Sequence, residues 1–452
     1  MISRRSLLLA GVALPVAART ANSQCVTDTP SVDACRGGVR VTSPPGKTLD
    51  LSFMTLGTLD PRITFTRAST GTYFDSTGTM QTAATNAPRW DYDPAKLTLN
   101  GLLIEEARTN YALQSGAMSV SPWTLRASTL TAGAAQAPDG TMAGVQLAED
   151  TSATTQHYVT ANFTTIPVNA PITISVYVRN NTRRWCQLAL YDQTTPANTV
   201  QMPVDLTTGA IGTVAIFGAA TAVSYSVVNA GNGWSRLTLT ATLSAAANTG
   251  IVHRIMLCNG QGSATYTGDG VSSIYVWGAQ AEAAAFPTSY IPTTAAAVTR
   301  AQDVCSIADM SWFTSPGGSW FCEFITVNPT MVSSSRVLAQ KGGTGITPIF
   351  IQVTKQVGQN DGVSVLTTNT LITNALTKAA TTWAPGQAKA CLNAGAVASS
   401  AGLVTGYNLL VTTGIYFMGA FTVPADTTSG YLRRVAYWPR VLSDTELQTV
   451  TR

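Results

Sequence analysis

Charge is scarce in this chain. Asp, Glu, Lys and Arg make up only 11% of its 452 residues, and the balance leaves a net charge of +4. A nucleic-acid surface needs clustered Lys and Arg, so this weak and scattered excess, with a pI near 8.7, excludes that partner and merely tolerates an anionic one. Histidine is scarcer still, at two residues, which leaves almost no room for a metal centre with His ligands. Neither His157 nor His253 has a nucleophile and an acid beside it in the sequence, so each reads as a partly buried hydrogen-bonding group. The seven cysteines lack the short paired spacings of a zinc site. Cys25 and Cys35 lie close enough for a local disulfide in an oxidising compartment, whereas Cys186, Cys258 and Cys322 sit in strand-like runs and are expected to be buried as small apolar side chains. A GxSxG elbow, a Ser/His/Asp spacing and a phosphate loop are all missing, and catalysis is not expected.

What is present is 45% hydrophobic residues, 37 glycines and abundant Ser, Thr, Ala and Asn. That is the composition of many short strands joined by tight turns, and the length suits two or three domains. The predicted fold class is all-β.

The chain opens with MISRRSLLLAGVALPVAA, a basic stretch followed by an apolar run of about twelve residues from Leu7 and a small-residue cleavage site at Val16-Ala17-Ala18. A bilayer span needs about 20 residues, so this run is too short for one. Residues 1–24 read either as a twin-arginine-like export signal, carried by Arg4-Arg5, or as an anchor that plugs the protein into a larger particle. Residues 25–60, with Gly37-Gly38 and Pro44-Pro45-Gly46, read as a linker or collar.

Between Arg62 and Tyr111 the charge reappears, as four arginines (Arg62, Arg67, Arg89, Arg108) and five acids (Asp75, Asp91, Asp93, Glu105, Glu106). Short strands are predicted at Ile63–Arg67, Tyr73-Phe74 and Leu102–Ile104. Arg67, Arg89 and Arg108 with Asp91 and Glu105 are expected to form structural ion pairs, because an Arg fork matches a carboxylate in two parallel hydrogen bonds. A catalytic pair at Glu105 and Glu106 is the competing reading. Adjacent strand residues point to opposite faces, which disfavours it.

The runs FTRASTGTYFDSTG, NAPRWDYDP and LNGLLIEEARTNY within residues 61–111 resemble a module of tailed-phage and gene-transfer-agent virion proteins, found in head spikes, head fibres and tail fibres. In that family the module commonly precedes a jelly-roll carbohydrate-binding module and a concanavalin-like domain. Residues 112–292 carry GNGWSRLTLT, YTGDGVSSIYVWGAQAE and FPTSYIPT, which resemble such a jelly roll. Residues 300–452 resemble a concanavalin or laminin-G-like sandwich, ending in a strand over Tyr431–Tyr437 and a short helix capped by Ser443 with Glu446 three residues on. Calcium is sometimes bound by that family, but no acidic cluster is evident here. A structural calcium is the only cofactor the resemblance admits, and Asp269 in its Gly-flanked turn reads as a turn residue.

Alternation assigns faces within 112–292. In ITISVYVRN, Ile174, Val176 and Val178 point inward and Tyr177 and Arg179 outward. In RRWCQLALYD, Cys186, Leu188 and Leu190 point inward and Trp185, Gln187 and Tyr191 outward. On neighbouring strands these outer faces would make one platform, with aromatic rings for sugar C–H faces and Gln and Arg for hydroxyls or carboxylates. A subunit interface is the competing reading of the same residues. Trp234 and Trp277 are expected between the sheets; Trp383 and Trp438 are left undecided.

The resemblance implies a virion-surface spike or fibre that binds host-surface polysaccharide without catalysis, contacts other virion proteins of the capsid, tail or portal region, and assembles as a homo-oligomer, a trimer as in fibres. The lack of an internal short repeat argues against a depolymerising β-helix. Multiple copies would multiply a weak single-site affinity. The alternatives are a structural decoration or collar without a glycan, and a secreted or periplasmic lectin exported by the twin-arginine route.

Overall fold

The computed structural model describes residues 43–452 apart from 56, 314–316, 328–334, 342–346, 353, 361–363, 401–413 and 420–427. The signal-like segment 1–24 and the Cys25/Cys35 pair lie outside the described residues. Among the described residues the fold is all-β but for one short helix.

Seven strands precede the jelly-roll-like segment: β1 (Leu49–Ser52), β2 (Ile63–Thr66), β3 (Gly71–Phe74), β4 (Met80–Ala83), β5 (Trp90–Asp93), β6 (Thr98–Ile104) and β7 (Arg108–Asn110). Within it lie β8 (Thr124–Arg126), β9 (Ser128–Ala135), β10 (Gly144–Glu149), β11 (Thr155–Gln156), β12 (Tyr158–Pro167), β13 (Ile172–Asn180), β14 (Trp185–Asp192), β15 (Thr199–Asp205), β16 (Ala215–Phe217), β17 (Thr221–Asn229), β18 (Ser235–Thr242), β19 (Thr249–Cys258), β20 (Thr265–Tyr266) and β21 (Ser273–Glu282). The rest comprises β22 (Val298–Arg300), β23 (Val304–Ile307), β24 (Gly318–Thr326), β25 (Ser335–Lys341), β26 (Thr347–Ile351), β27 (Gln356–Asn360), β28 (Ser364–Thr370), β29 (Leu376–Ala384), β30 (Gln387–Leu392), β31 (Ala398–Ser400), β32 (Gly414–Phe417), β33 (Gly430–Trp438) and α1 (Asp444–Val450).

Segment 112–292 is a sandwich of two six-stranded antiparallel sheets, ordered β17-β18-β13-β21-β10-β9 and β16-β15-β14-β19-β12-β8. Ile174, Val176 and Val178 from the first sheet meet Cys186, Leu188 and Leu190 from the second in one core, all fully buried. Each such aliphatic side chain contributes about 2 kcal/mol of burial.

The second sandwich corrects the sequence reading of residues 61–111 as a separate module. β6 pairs with β33 and β5 with β6, while β1, in the expected collar, also pairs with β33; all three extend the eight-stranded sheet of the C-terminal sandwich. β2 pairs with β23 in the facing seven-stranded sheet. The β3–β4 hairpin forms a two-stranded sheet of its own. The physical reason is that strands of three to seven residues cannot cover an apolar face alone. Leu49, Leu102 and Ile104 instead complete a core with Trp320, Trp383 and Tyr437. Gly101 permits this pairing: at φ +136° it brings β6 so near β33 that a Cβ would lie 2.6 Å from the Leu432 carbonyl oxygen.

The six-stranded sandwich is thus inserted into the other, and its two connections pair as the antiparallel ribbon β7–β22. Gly46–Arg452 packs as one unit. Helix α1 begins at Ser443 with the reciprocal cap to Glu446 that the sequence signals, and Leu447 is buried beneath it. Trp383 and Trp438 are both core residues.

Candidate functional site

Where the inserted sandwich is attached, five charged side chains are sealed from solvent. Arg67, Arg89, Glu105, Arg300 and Asp303 are each at most 2% exposed. The Asp303 carboxylate accepts from Arg67 Nη1 at 3.0 Å, from Arg89 Nη2 at 2.5 Å and from the Glu105 backbone N–H at 2.9 Å. Glu105 pairs with Arg89 at 2.9 Å and accepts from both the N–H and the hydroxyl of Ser289. Arg300 lies 3.5 Å from Glu105 and 3.6 Å from Asp303. Burial alone would push the Glu105 carboxyl up, but Arg300, Arg89 and Ser289 hold it down at about 2. The arrangement fastens strands; with both carboxylates engaged by arginines, it offers no free acid or base.

Arg108 makes its expected ion pair outside this network, with Glu106, whereas Asp91 makes none among the described residues. Arg108 contacts the Glu106 carboxylate and stacks 4.9 Å from the Phe286 ring, because Glu105 and Glu106 diverge. Asp91 accepts from the Phe74 N–H at 2.7 Å and the Tyr431 hydroxyl at 2.8 Å, with no arginine on it, and burial pushes its carboxyl up to about 6.

The outer face of the β14-containing sheet is built from register. Opposite residues run Tyr158–Met256–Gln187–Pro203 in one row, Thr160–Arg254–Ala189–Gln201 in the next and Asn162–Val252–Tyr191–Thr199 in the third. Arg254 therefore sits at the centre, diagonal to two tyrosines. Its guanidinium carbon lies 4.1 Å from the Tyr158 ring centroid and 4.5 Å from that of Tyr191, a half-buried cation–π stack. Gln187 Nε2 donates to Gln201 Oε1 at 2.9 Å, and Gln201 Nε2 donates to the Tyr191 hydroxyl at 3.2 Å, which also accepts from Arg254 Nη1 at 3.3 Å. With both acceptor positions filled, the Tyr191 O–H proton has no acceptor among the described residues, and neither has Arg254 Nε–H. Trp185 is half-buried at one end. The Tyr191 O–H, held in place by Gln201 and Arg254, suits a hydroxyl or carboxylate oxygen.

The single platform expected from Trp185, Gln187, Tyr191, Tyr177 and Arg179 does not form. β13 pairs with β18 and β21, whereas β14 pairs with β15 and β19, so the two outer faces look away from each other across the core. Tyr177, 2% exposed, packs on Trp277 and Tyr290, and Arg179 lies over Trp234 and Tyr275. Trp234 and Trp277 are buried, but under the β3–β4 hairpin with Met80 and not between the sheets. On the β14 face, sugar stacking is also limited: Tyr158 and Tyr191 are 9% and 8% exposed, and Arg254 already stacks on both rings.

No protein-family model matches the chain, and no curated protein does. Among solved structures it is similar to the CBM40 of a Ruminococcus gnavus IT-sialidase, at 17% identity over 30% of this chain and 83% of that one, with a TM-score of 0.27. A Trypanosoma rangeli sialidase aligns at 10% identity over 68% of this chain and 60% of that one, also with a TM-score of 0.27.

Arg254, Arg300 and Asp303 were not singled out by sequence reasoning. Alternation in IVHRIMLCN puts Arg254 outward with Val252 and Met256, a signal that was available; its place between two tyrosines depends on register and was not. Asp269 caps its turn, accepting from the N–H groups of Val271 and Ser272. His157 is fully buried with its ring nitrogens 2.5 and 3.3 Å from the carbonyl oxygens of Ala127 and Tyr266. His253 departs from expectation: it is inside the core beside Trp123, neither ring nitrogen has a partner among the described residues, and burial pushes it down to about 3. Among the described residues no group of three or more His, Cys, Asp or Glu side chains is placed to hold a metal ion.

Proposed function

We propose that the protein is a non-catalytic glycan-binding component of a phage-like particle surface, a spike or fibre that attaches the particle to host polysaccharide. The observation that carries the glycan part is the Arg254–Tyr191–Gln201–Gln187 array on an outer sheet face, which leaves the Tyr191 O–H without an acceptor among the described residues. The virion part rests on the resemblance of residues 61–111, and the buried ion pairs give it a mechanical rationale: a rigid mount for the inserted sandwich. Oligomerisation would turn weak single sites into avid attachment.

Glycan-array and whole-cell adsorption measurements on the full chain test this reading. Tyr191→Phe keeps the ring and removes the donor, which should weaken binding about 3- to 10-fold, the worth of one hydrogen bond. Arg254→Ala should weaken it further. An oligomer that ignores every host polysaccharide refutes the glycan part, and a monomer at micromolar concentration counts against the spike or fibre.

One observation favours a second reading, a structural decoration or collar. The two tyrosines of the face are already covered, as a packing surface would be. In that case both variants leave adsorption unchanged and alter assembly with other virion proteins.

A further inference from the structure

On the opposite side of the inserted sandwich, where it meets the strands of residues 71–104 and the end of β33, lies a cleft of about 460 Å³. That is the size of sites that hold small ligands, which favour junctions between domains. Its floor is the outer face of two paired strands. Rungs Ser224–Thr240, Ser226–Thr238 and Val228–Arg236 set four hydroxyls and one guanidinium along it. The facing wall holds Asp91 and Tyr431, joined by their 2.8 Å hydrogen bond, with Phe74 alongside.

The floor is polar without being internally satisfied. Ser224 and Ser226 are exposed and meet solvent, and Thr240 bonds Thr173, but the Thr238 hydroxyl, on a residue only 5% exposed, donates to nothing among the described residues. Arg236 Nη2 donates to Ser175 at 3.0 Å, and its Nε–H is buried without a partner among those residues. Native proteins rarely leave such groups unpaired unless water or a ligand completes them. Charge also bears on the ligand class. The Arg236 cation is balanced across the cleft by the Asp91 carboxyl, and the nearby Glu105 is neutralised by Arg89 and Arg300. An anion gains little in so balanced a site. A neutral ligand with many hydroxyls matches the ladder, and its C–H faces match the Phe74 and Tyr431 wall.

We propose that this cleft is a second binding site, for a neutral saccharide unit. It stands apart from the Arg254 face, from which the sandwich core separates it, and does not depend on that face binding anything.

Saturation-transfer NMR of the full chain with lactose, maltose and cellobiose tests the proposal. Ser226→Trp adds a bulky ring on an exposed strand position and fills the cleft; Thr238→Val removes one hydroxyl at nearly constant volume. Both cleft variants are made in the Arg254→Ala background, so that sugar held on the other face adds no transfer. At least one disaccharide should show transfer that is lost in Ser226→Trp, weakened about 3- to 10-fold in Thr238→Val and kept in Arg254→Ala. Absence of transfer from all three sugars to the wild-type protein overturns the proposal. So does transfer that survives both cleft variants, or transfer that only Arg254→Ala removes, which would assign the sugar to the other face.

Discussion

Asp303→Asn isolates charge from shape in the buried network. Asp303 accepts from Arg67 and Arg89 and lies beside Arg300, all four at most 2% exposed. Asn fills the same volume but leaves three guanidiniums facing Glu105 alone, and its amide N–H₂ meets donors where the carboxylate met them as acceptor. Breaking one buried ion pair by removing a partner costs about 3–5 kcal/mol, because the remaining charge stays desolvated. Two arginines depend directly on Asp303, so the loss belongs at the upper end of that range. Lys389–Asp444 provides the internal comparison: at 2.6 Å its geometry is as close, but the Asp444 side chain is 59% exposed, and Asp444→Asn should cost about 0–1 kcal/mol. Urea unfolding at pH 7 measures both, with an unchanged m-value showing that the denatured state is unaltered. If Asp303→Asn shifts the midpoint no further than Asp444→Asn, the network is not what holds the two sandwiches together.

Three further outcomes follow from burial and register. The folded-state pKa of Asp91, about 6, lies above its ordinary 3.8, so the folded form holds the proton more tightly; that contribution is present below pH 3.8 and lost as pH rises through 6. Asp91→Asn should therefore be more stable than wild type at pH 8, by at most about 3 kcal/mol, and equal to it near pH 4; the same gap at both pH values refutes this. For His253, displaced from 6.5 to about 3, only the unfolded form takes up a proton below pH 6.5, and stability is lost as pH falls from there towards 3. His253→Leu should escape about 2 kcal/mol of that loss at pH 5, read from melting curves between pH 7 and 5. Gly101→Ala places a Cβ against the Leu432 carbonyl oxygen at a φ that L-residues avoid, and should cost more than about 2 kcal/mol in the same urea assay.

The features legible in the sequence are those decided within a few residues. Alternation assigned the inner faces of β13 and β14, because period two is local. The Ser443–Glu446 cap was visible because its partners are three residues apart. Composition alone pointed to an all-β chain. What remained hidden depends on partners far along the chain. β6 lies beside β33, more than 300 residues away, so residues 61–111 looked like a free module when their strands finish another domain. Arg67 and Arg89 looked like partners for neighbouring acids, yet the carboxylate that unites them is Asp303. The short link between β13 and β14 crosses between sheets, and nothing in ITISVYVRN or RRWCQLALYD distinguishes that crossing from a hairpin. That one choice separated Tyr177 and Arg179 from Trp185, Gln187 and Tyr191.

The most direct measurement is adsorption of the full-length protein to the proposed host cells and to their purified surface polysaccharide, comparing wild type with Arg254→Ala and Tyr191→Phe at matched thermal stability. The expected result is saturable binding by wild type, weakened about 3- to 10-fold by Tyr191→Phe and more by Arg254→Ala. Binding that is identical in all three proteins, or absent from wild type, would contradict a glycan site on the Arg254 face.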